Sequence, residues 1–167
     1  MIRAANPDDA ASIAEIYAHH VLHGTASFDT VPPDADTWRA KIVDISARGW
    51  PFLVVEEDGA VLGYAYATQF RDRPAYAETC ENSIYLAPDH SGRGIGSALM
   101  AALLPAAAEA GFRQMIAVVG GDEPASVALH RKFGFTVAGR MRDVGRKFGR
   151  LLDTVYLQRS LDGVTMA

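Results

Sequence analysis

Gly92-Arg93-Gly94-Ile95-Gly96 carries the densest chemical signal in the chain, with three glycines in five residues between a predicted strand and a predicted helix. Glycine lets a backbone approach a ligand closely, and a helix start aims free N–H groups and partial positive charge at it, so the turn suits a pyrophosphate. A tight strand-to-helix connection, in which glycine only relieves sterics, fits the same residues. Two nucleotide motifs fail. There is no Gly-x-x-x-x-Gly-Lys-Ser/Thr, and Gly96 comes one residue too early for Gly-x-Gly-x-x-Gly.

Upstream, Glu81 lies midway along the strand that leads into this loop. A carboxylate there can bind an ammonium and relay its proton through water, or it can be an ordinary strand glutamate facing solvent. Arg71-Asp72-Arg73 offers two forked guanidinium groups suited to a carboxylate, phosphinate or sulfone, with solvated loop charge as the plainer reading. Taken alone, His130 reads as a helix-surface histidine. His19 and His23 are four apart but lack a third ligand, so no metal is expected. Cys80 alternates away from the Glu81 face and reads as a core residue.

These groups must be positioned by the elements around them. Met1 to Ala5 is a short strand. Asn6-Pro7-Asp8-Asp9 then reads as an N-cap, and a helix follows with Ile13, Ile16, Tyr17 and Val21 on one face, ending near His23-Gly24. Trp38, Ile42 and Ile45 mark a second helix, closed by Gly49 and Pro51. Phe52 to Glu56 and Ala60 to Thr68 form a hairpin about Asp58-Gly59. After the polar stretch Gln69 to Tyr76 comes a strand from Thr79 to Leu86, whose period of two puts Glu81, Ser83 and Tyr85 on one face. A helix from Ser97 to Ala110 contains Pro105, which should kink it. A strand at Met115 to Val119, a helix at Pro124 to Phe133, and strands at Phe135 to Ala138 and Leu151 to Leu161 complete a mixed α/β sheet with helices on its faces.

The composition narrows the role. The 167 residues favour one domain spanning 1–167, and 49% hydrophobic with 22% charged residues predicts a folded chain. A net charge of −4 gives no global positive field for nucleic acid. A single cysteine allows no intramolecular disulfide, which suits a reducing compartment. No apolar run approaches the roughly 20 residues of a membrane span, and Met1-Ile2-Arg3 starts no signal pattern, so a cytoplasmic location is expected, with no membrane partner.

Tyr85-Leu86-Ala87-Pro88 followed by Gly92 to Ser97 resembles the acetyl-CoA signature of the GNAT N-acetyltransferases, Arg/Gln-x-x-Gly-x-Gly/Ala, with Ser91 where Arg or Gln is usual. Within that superfamily the chain is similar to the phosphinothricin and methionine sulfoximine N-acetyltransferases. The supporting segments are Glu15-Ile16-Tyr17, Thr25-Ala26-Ser27-Phe28, Gly63-Tyr64-Ala65, Glu81-Asn82-Ser83-Ile84-Tyr85, Ser126-Val127-Ala128-Leu129-His130 with Gly134-Phe135, and Val144-Gly145-Arg146-Lys147-Phe148-Gly149-Arg150. Glu123 and Leu151 depart from the family's usual Asn and Trp.

The resemblance implies a GNAT-type mixed, mostly antiparallel sheet flanked by helices, with splayed central strands. It implies acetyl-CoA as cosubstrate and direct acetyl transfer to the α-amine of a small amino-acid-like compound, by a homodimer. Coenzyme A contacts fall on Ile84, Tyr85 and Leu86 through main-chain N–H groups, on Gly92, Arg93, Gly94, Ile95, Gly96 and Ser97, and on Ser126. Substrate contacts fall on Phe28, Arg71, Asp72, Arg73, Glu81, Asn82 and Ser83. Glu81 is the implied general base, and His130 the implied proton donor to the departing thiolate. A polyamine, aminoglycoside or protein N-terminus as acceptor, or an acyl-CoA-binding module without catalysis, are the alternatives.

Overall fold

The structure, a computed structural model, describes residues 1–121 and 123–165. Its elements run β1 (Ile2–Ala4), α1 (Ala10–His23), α2 (Ala35–Ala47), β2 (Phe52–Glu57), β3 (Ala60–Gln69), β4 (Thr79–Leu86), α3 (Ile95–Glu109), β5 (Gln114–Gly120), α4 (Pro124–Lys132), β6 (Thr136–Lys147) and β7 (Arg150–Ser160). The strands form one sheet in the order β1-β2-β3-β4-β5-β7-β6. Among the described residues only β4 and β5 pair in parallel, joined by the α3 crossover, so the expected mixed and mostly antiparallel sheet is present.

Local chemistry sets the ends of the helices. The Asn6 side chain accepts from the Asp8 amide, and the Asp9 carboxylate accepts from the Asn6 amide and from two Arg3 guanidinium N–H groups, each at 2.8 Å. This capping box starts a short 3-10 turn, Pro7–Asp9, from which α1 continues. Asp34 caps α2 through the Thr37 amide. Both helices lay apolar stripes on one face of the sheet, where Ile13, Ile16, Trp38, Ile42 and Ile45 pack with Phe52, Val54, Tyr64 and Tyr66. On the other face, Leu99, Met100, Leu103 and Leu104 of α3 meet Ala65, Ala67, Cys80, Met115 and Leu157. Cys80 is fully buried there, and burial pushes its thiol pKa up to about 12, which removes it as a nucleophile.

Two local expectations change. Helix α3 starts at Ile95 rather than Ser97, with Pro105 inside it. Strand β6 continues to Lys147, nine residues past Ala138. Gly139 to Lys147 is rich in glycine and charge and carries no apolar alternation; the segment is held by pairing with β7, through a bulge between Met141 and Gly145. The β6–β7 turn has left-handed φ at Phe148 and Gly149, as the β2–β3 turn has at Asp58 and Gly59.

Candidate active site

The sheet opens in its middle. Strands β4 and β5 pair from Thr79↔Gln114 to Asn82↔Ala117 and no further, while β4 stays on β3 to Gly63↔Leu86 and β5 stays on β7 to Gly120↔Thr154. Ala87 donates to the Leu62 carbonyl at 2.8 Å, so alternation turns the odd-numbered main-chain groups of β4 toward β3 and the even-numbered ones toward the gap. The amides of Ile84 and Leu86 therefore face the fork. Tyr85 corrects the expectation here: its amide is engaged with β3, and its ring packs edge-on against Tyr17 at 5.1 Å. His20 of α1 donates Nε2–H to the Leu86 carbonyl at 2.7 Å, and burial lowers the pKa of the ring.

The two faces of the fork carry different chemistry. On the α3 and α4 face Asn82 is buried and donates Nδ2–H to His130 Nε2 at 2.9 Å, while His130 Nδ1–H donates to the Ser126 carbonyl at 2.7 Å. Both bonds fix one neutral tautomer, and burial lowers the ring's pKa. His130 is thus buried in the α4 seam rather than on a helix surface, and its Nε2 accepts a hydrogen bond instead of holding a proton for a departing sulfur. Among the described residues Asn82 Oδ1 has no hydrogen-bond partner although it is buried at the closed end of the fork.

On the α1 and α2 face, a cavity of about 310 Å³ is lined by Tyr17, Ser27, Phe28, Asp29, Tyr66, Glu81, Ser83 and Tyr85, and it reaches Asn82, Ser126 and His130 through the fork. Burial raises the Glu81 carboxyl above the usual carboxylate range, and the Arg71 guanidinium, with Nη1 3.6 Å from Oε2, partly offsets the rise. Tyr17 Oη donates to Asp29 Oδ2 at 2.6 Å and lies 2.7 Å from Ser27 Oγ. Lys41 donates to Tyr66 Oη at 2.6 Å.

The glycine loop matches a phosphate cradle in form. Gly92 and Gly94 have φ of 77° and 81°, a region that side chains disfavour, and a Cβ on either would meet nothing within 4 Å, so the turn is open on its outer side. Gly94 caps α3, whose first amides point outward. Arg93 pairs with Glu57 at 3.2 Å, and Ser97 Oγ accepts from Lys132 at 3.0 Å. Ile95 and Gly96 form the first turn of α3, with Gly96 against Leu129. With the free edge of the fork and the unpartnered Asn82 Oδ1, these residues fit an elongated ligand bearing amides and a diphosphate.

The structure gathers Phe28, Glu81, Asn82, Ser83, Ile84, Tyr85, Ser126 and His130 around one cavity and brings Arg71 to Glu81. Asp72 and Arg73 stay exposed in the loop, where Gln69 Nε2 donates to the Arg71 and Arg73 carbonyls. Glu123 stands at the N-cap of α4. Sequence reasoning passed over Tyr17, Ser27, Asp29, Lys41 and Tyr66 as site residues. The pairing of Ser83 with Tyr66 across β3 is one signal that would have found the last, given the register.

A sheet forked at its centre, with a glycine turn and helix start at its open end, defines an acyl-CoA acetyltransferase of the GNAT family, and the chain belongs to it: residues 2–156 match the acetyltransferase (GNAT) domain. Among its relatives is the phosphinothricin N-acetyltransferase of Alcaligenes faecalis, 48% identical over 96% of this chain and 82% of that protein. The L-methionine sulfoximine/L-methionine sulfone acetyltransferase of Salmonella typhimurium is 40% identical over 96% and 94%. The GNAT superfamily phosphinothricin acetyltransferase of Sinorhizobium meliloti, solved in complex with acetyl-CoA, superposes with a TM-score of 0.94 at 45% identity, covering 100% of this chain and 91% of that one.

Proposed function

We propose that this protein transfers the acetyl group of acetyl-CoA directly to the α-amine of a small amino-acid-like acceptor of the phosphinothricin, methionine sulfoximine or methionine sulfone type. The observation that carries this reading is the meeting of Glu81 and the opened β4 edge in one cavity. Acetyl-CoA, when bound, supplies an acyl carbon activated as a thioester. The chain's residues supply the rest. Gly92, Arg93 and Gly94 with the start of α3 hold the diphosphate, and the fork accepts the pantetheine arm. Glu81 binds the acceptor's ammonium and takes its proton through water, leaving a neutral amine; as the new C–N bond forms and the C–S bond breaks, the proton the nitrogen then sheds goes to the departing sulfur, which leaves as the thiol. The Ile84 and Leu86 amides, fixed by the sheet, offer N–H donors to an acyl oxygen with little reorganisation. Arg71, beside Glu81, receives the acceptor's anionic group. His130 and Asn82 keep the closed end of the fork in register.

The chain acts as one N-acetyltransferase domain over residues 1–167, and its single continuous sheet supports that reading. It works as a homodimer in the cytoplasm. Exposed Val137, Met141, Val144, Phe148 and Leu151 cluster on the β6–β7 hairpin and support a second copy there. The lone, buried Cys80 suits a reducing compartment, and among the described residues no helix is long and apolar enough to cross a membrane.

A thiol-release assay with acetyl-CoA over phosphinothricin, methionine sulfoximine, methionine sulfone, polyamines and peptides tests the function. Turnover with the first three is expected. Turnover only with polyamines or peptides would replace the acceptor class, and binding of acetyl-CoA without thiol release would make the chain a binding module.

A further inference from the structure

We propose that Gly145 and Lys147 of β6 are positioning residues that hold Phe28 as the end wall of the acceptor cavity, and thereby set the length of amine it admits; this rests on the acetyltransferase reading above. Phe28 lies on the loop between α1 and α2, which has no regular structure of its own to fix it. Two observations on β6 supply the missing constraint.

The first is Lys147, only 5% exposed, whose Nζ donates to the Ser27 carbonyl at 2.8 Å across 120 residues of chain. A buried ammonium tied to a main-chain oxygen pins the peptide plane that joins Ser27 to Phe28. The same loop is tied on its other side, since the Asp29 amide donates to Ser27 Oγ and Tyr17 Oη bonds Ser27 and Asp29. The second is the seat of the ring. A Cβ on Gly145 would stand 2.8 Å from Phe28 Cδ2 and Cζ, and one on Gly120 would stand 2.7 Å from Cε1. Gly145 is not in the left-handed region, and its nearest surroundings are Phe28 ring atoms, so the ring, not the backbone, demands a glycine there. The ring is thus seated between two bare stretches of backbone and lines the cavity that holds Glu81.

A double-mutant cycle tests the coupling. Gly145→Ala, Phe28→Ala and the double variant are compared with wild type and with Lys147→Met, using methionine sulfone, phosphinothricin and a methionyl dipeptide as acceptors. Gly145→Ala and Lys147→Met are expected to raise acceptor KM about tenfold while leaving acetyl-CoA KM nearly unchanged. Phe28→Ala is expected to shift preference toward the dipeptide, and adding Gly145→Ala to it should then change nothing further. Thermal unfolding of wild type, the two single variants of the cycle and the double variant reads the contact without activity: the loss in Tm from Gly145→Ala should vanish when Phe28 is removed. Additive effects in either cycle, or equal rises in KM for both substrates, would overturn the proposal. A wild-type protein that releases no thiol with any acceptor would overturn the acetyltransferase reading instead, and the thermal cycle would still decide the contact.

Discussion

At Glu81 two opposing influences meet, burial raising the carboxyl pKa and the Arg71 guanidinium drawing it back. Only the ionised form accepts a proton, so kcat/KM should fall as pH drops through that raised value. Glu81→Gln is expected to lower kcat by about 10²–10⁴-fold and to abolish the acid limb, and a pH–rate profile from pH 5 to 9 checks both. Arg71→Ala removes the lowering influence, so the acid limb should move to higher pH while acceptor KM rises; an unmoved limb would separate Arg71 from the base. For His130 the bonding pattern predicts something different from the family expectation. His130→Ala should raise acetyl-CoA KM through a loosened Asn82, with no loss of a basic limb, because Nδ1–H of the ring donates to the Ser126 carbonyl and Nε2 accepts from Asn82. At this scale the sequence shows Glu81, Arg71 and Phe28 through short motifs that resemble known enzymes. Tyr17 and Asp29 were not legible as site residues, since the first sits in an apolar helix stripe and the second in an irregular loop, and only folding brings them together.

The elements place these groups, and their ends can be tested separately. Asp9 is buried, closes the capping box of the 3-10 turn that leads into α1 and accepts two Arg3 hydrogen bonds, which hold its pKa below the usual carboxylate range. A depressed pKa means that its contribution is present above the unfolded value and is lost as pH falls through the folded one. Asp9→Asn should therefore destabilise the protein by about 1–3 kcal/mol near neutral pH, and the deficit in Tm should shrink in acid. Elements with one apolar face, such as α1 and α2, could be read from periodicity because burial imposes it, whereas β3, buried on both faces, was legible as a β-forming run behind the Asp58-Gly59 turn. The outer half of β6 could not, since pairing with β7 holds it while both its faces stay largely exposed. The fork was expected only through the resemblance: where a parallel pair ends is set by register, and no residue type in Ser83 to Leu86 announces it.

Across the whole molecule, the sheet separates the cavity that holds Glu81 on the face of α1 and α2 from the Asn82–His130 pair on the face of α3 and α4, and the gap between β4 and β5 joins them. The exposed apolar hairpin, which includes Leu151, is the surface proposed for a second copy. Changing Met141 and Val144 together to Asp should lower the mass seen by light scattering from dimer to monomer, whereas a wild-type mass would exclude this face as the contact. The central claim is that the fork and the glycine turn together receive acetyl-CoA. Isothermal titration calorimetry of the purified chain with acetyl-CoA tests it most directly: saturable binding with one site per chain is predicted, and no heat of binding with either acetyl-CoA or free coenzyme A would contradict it.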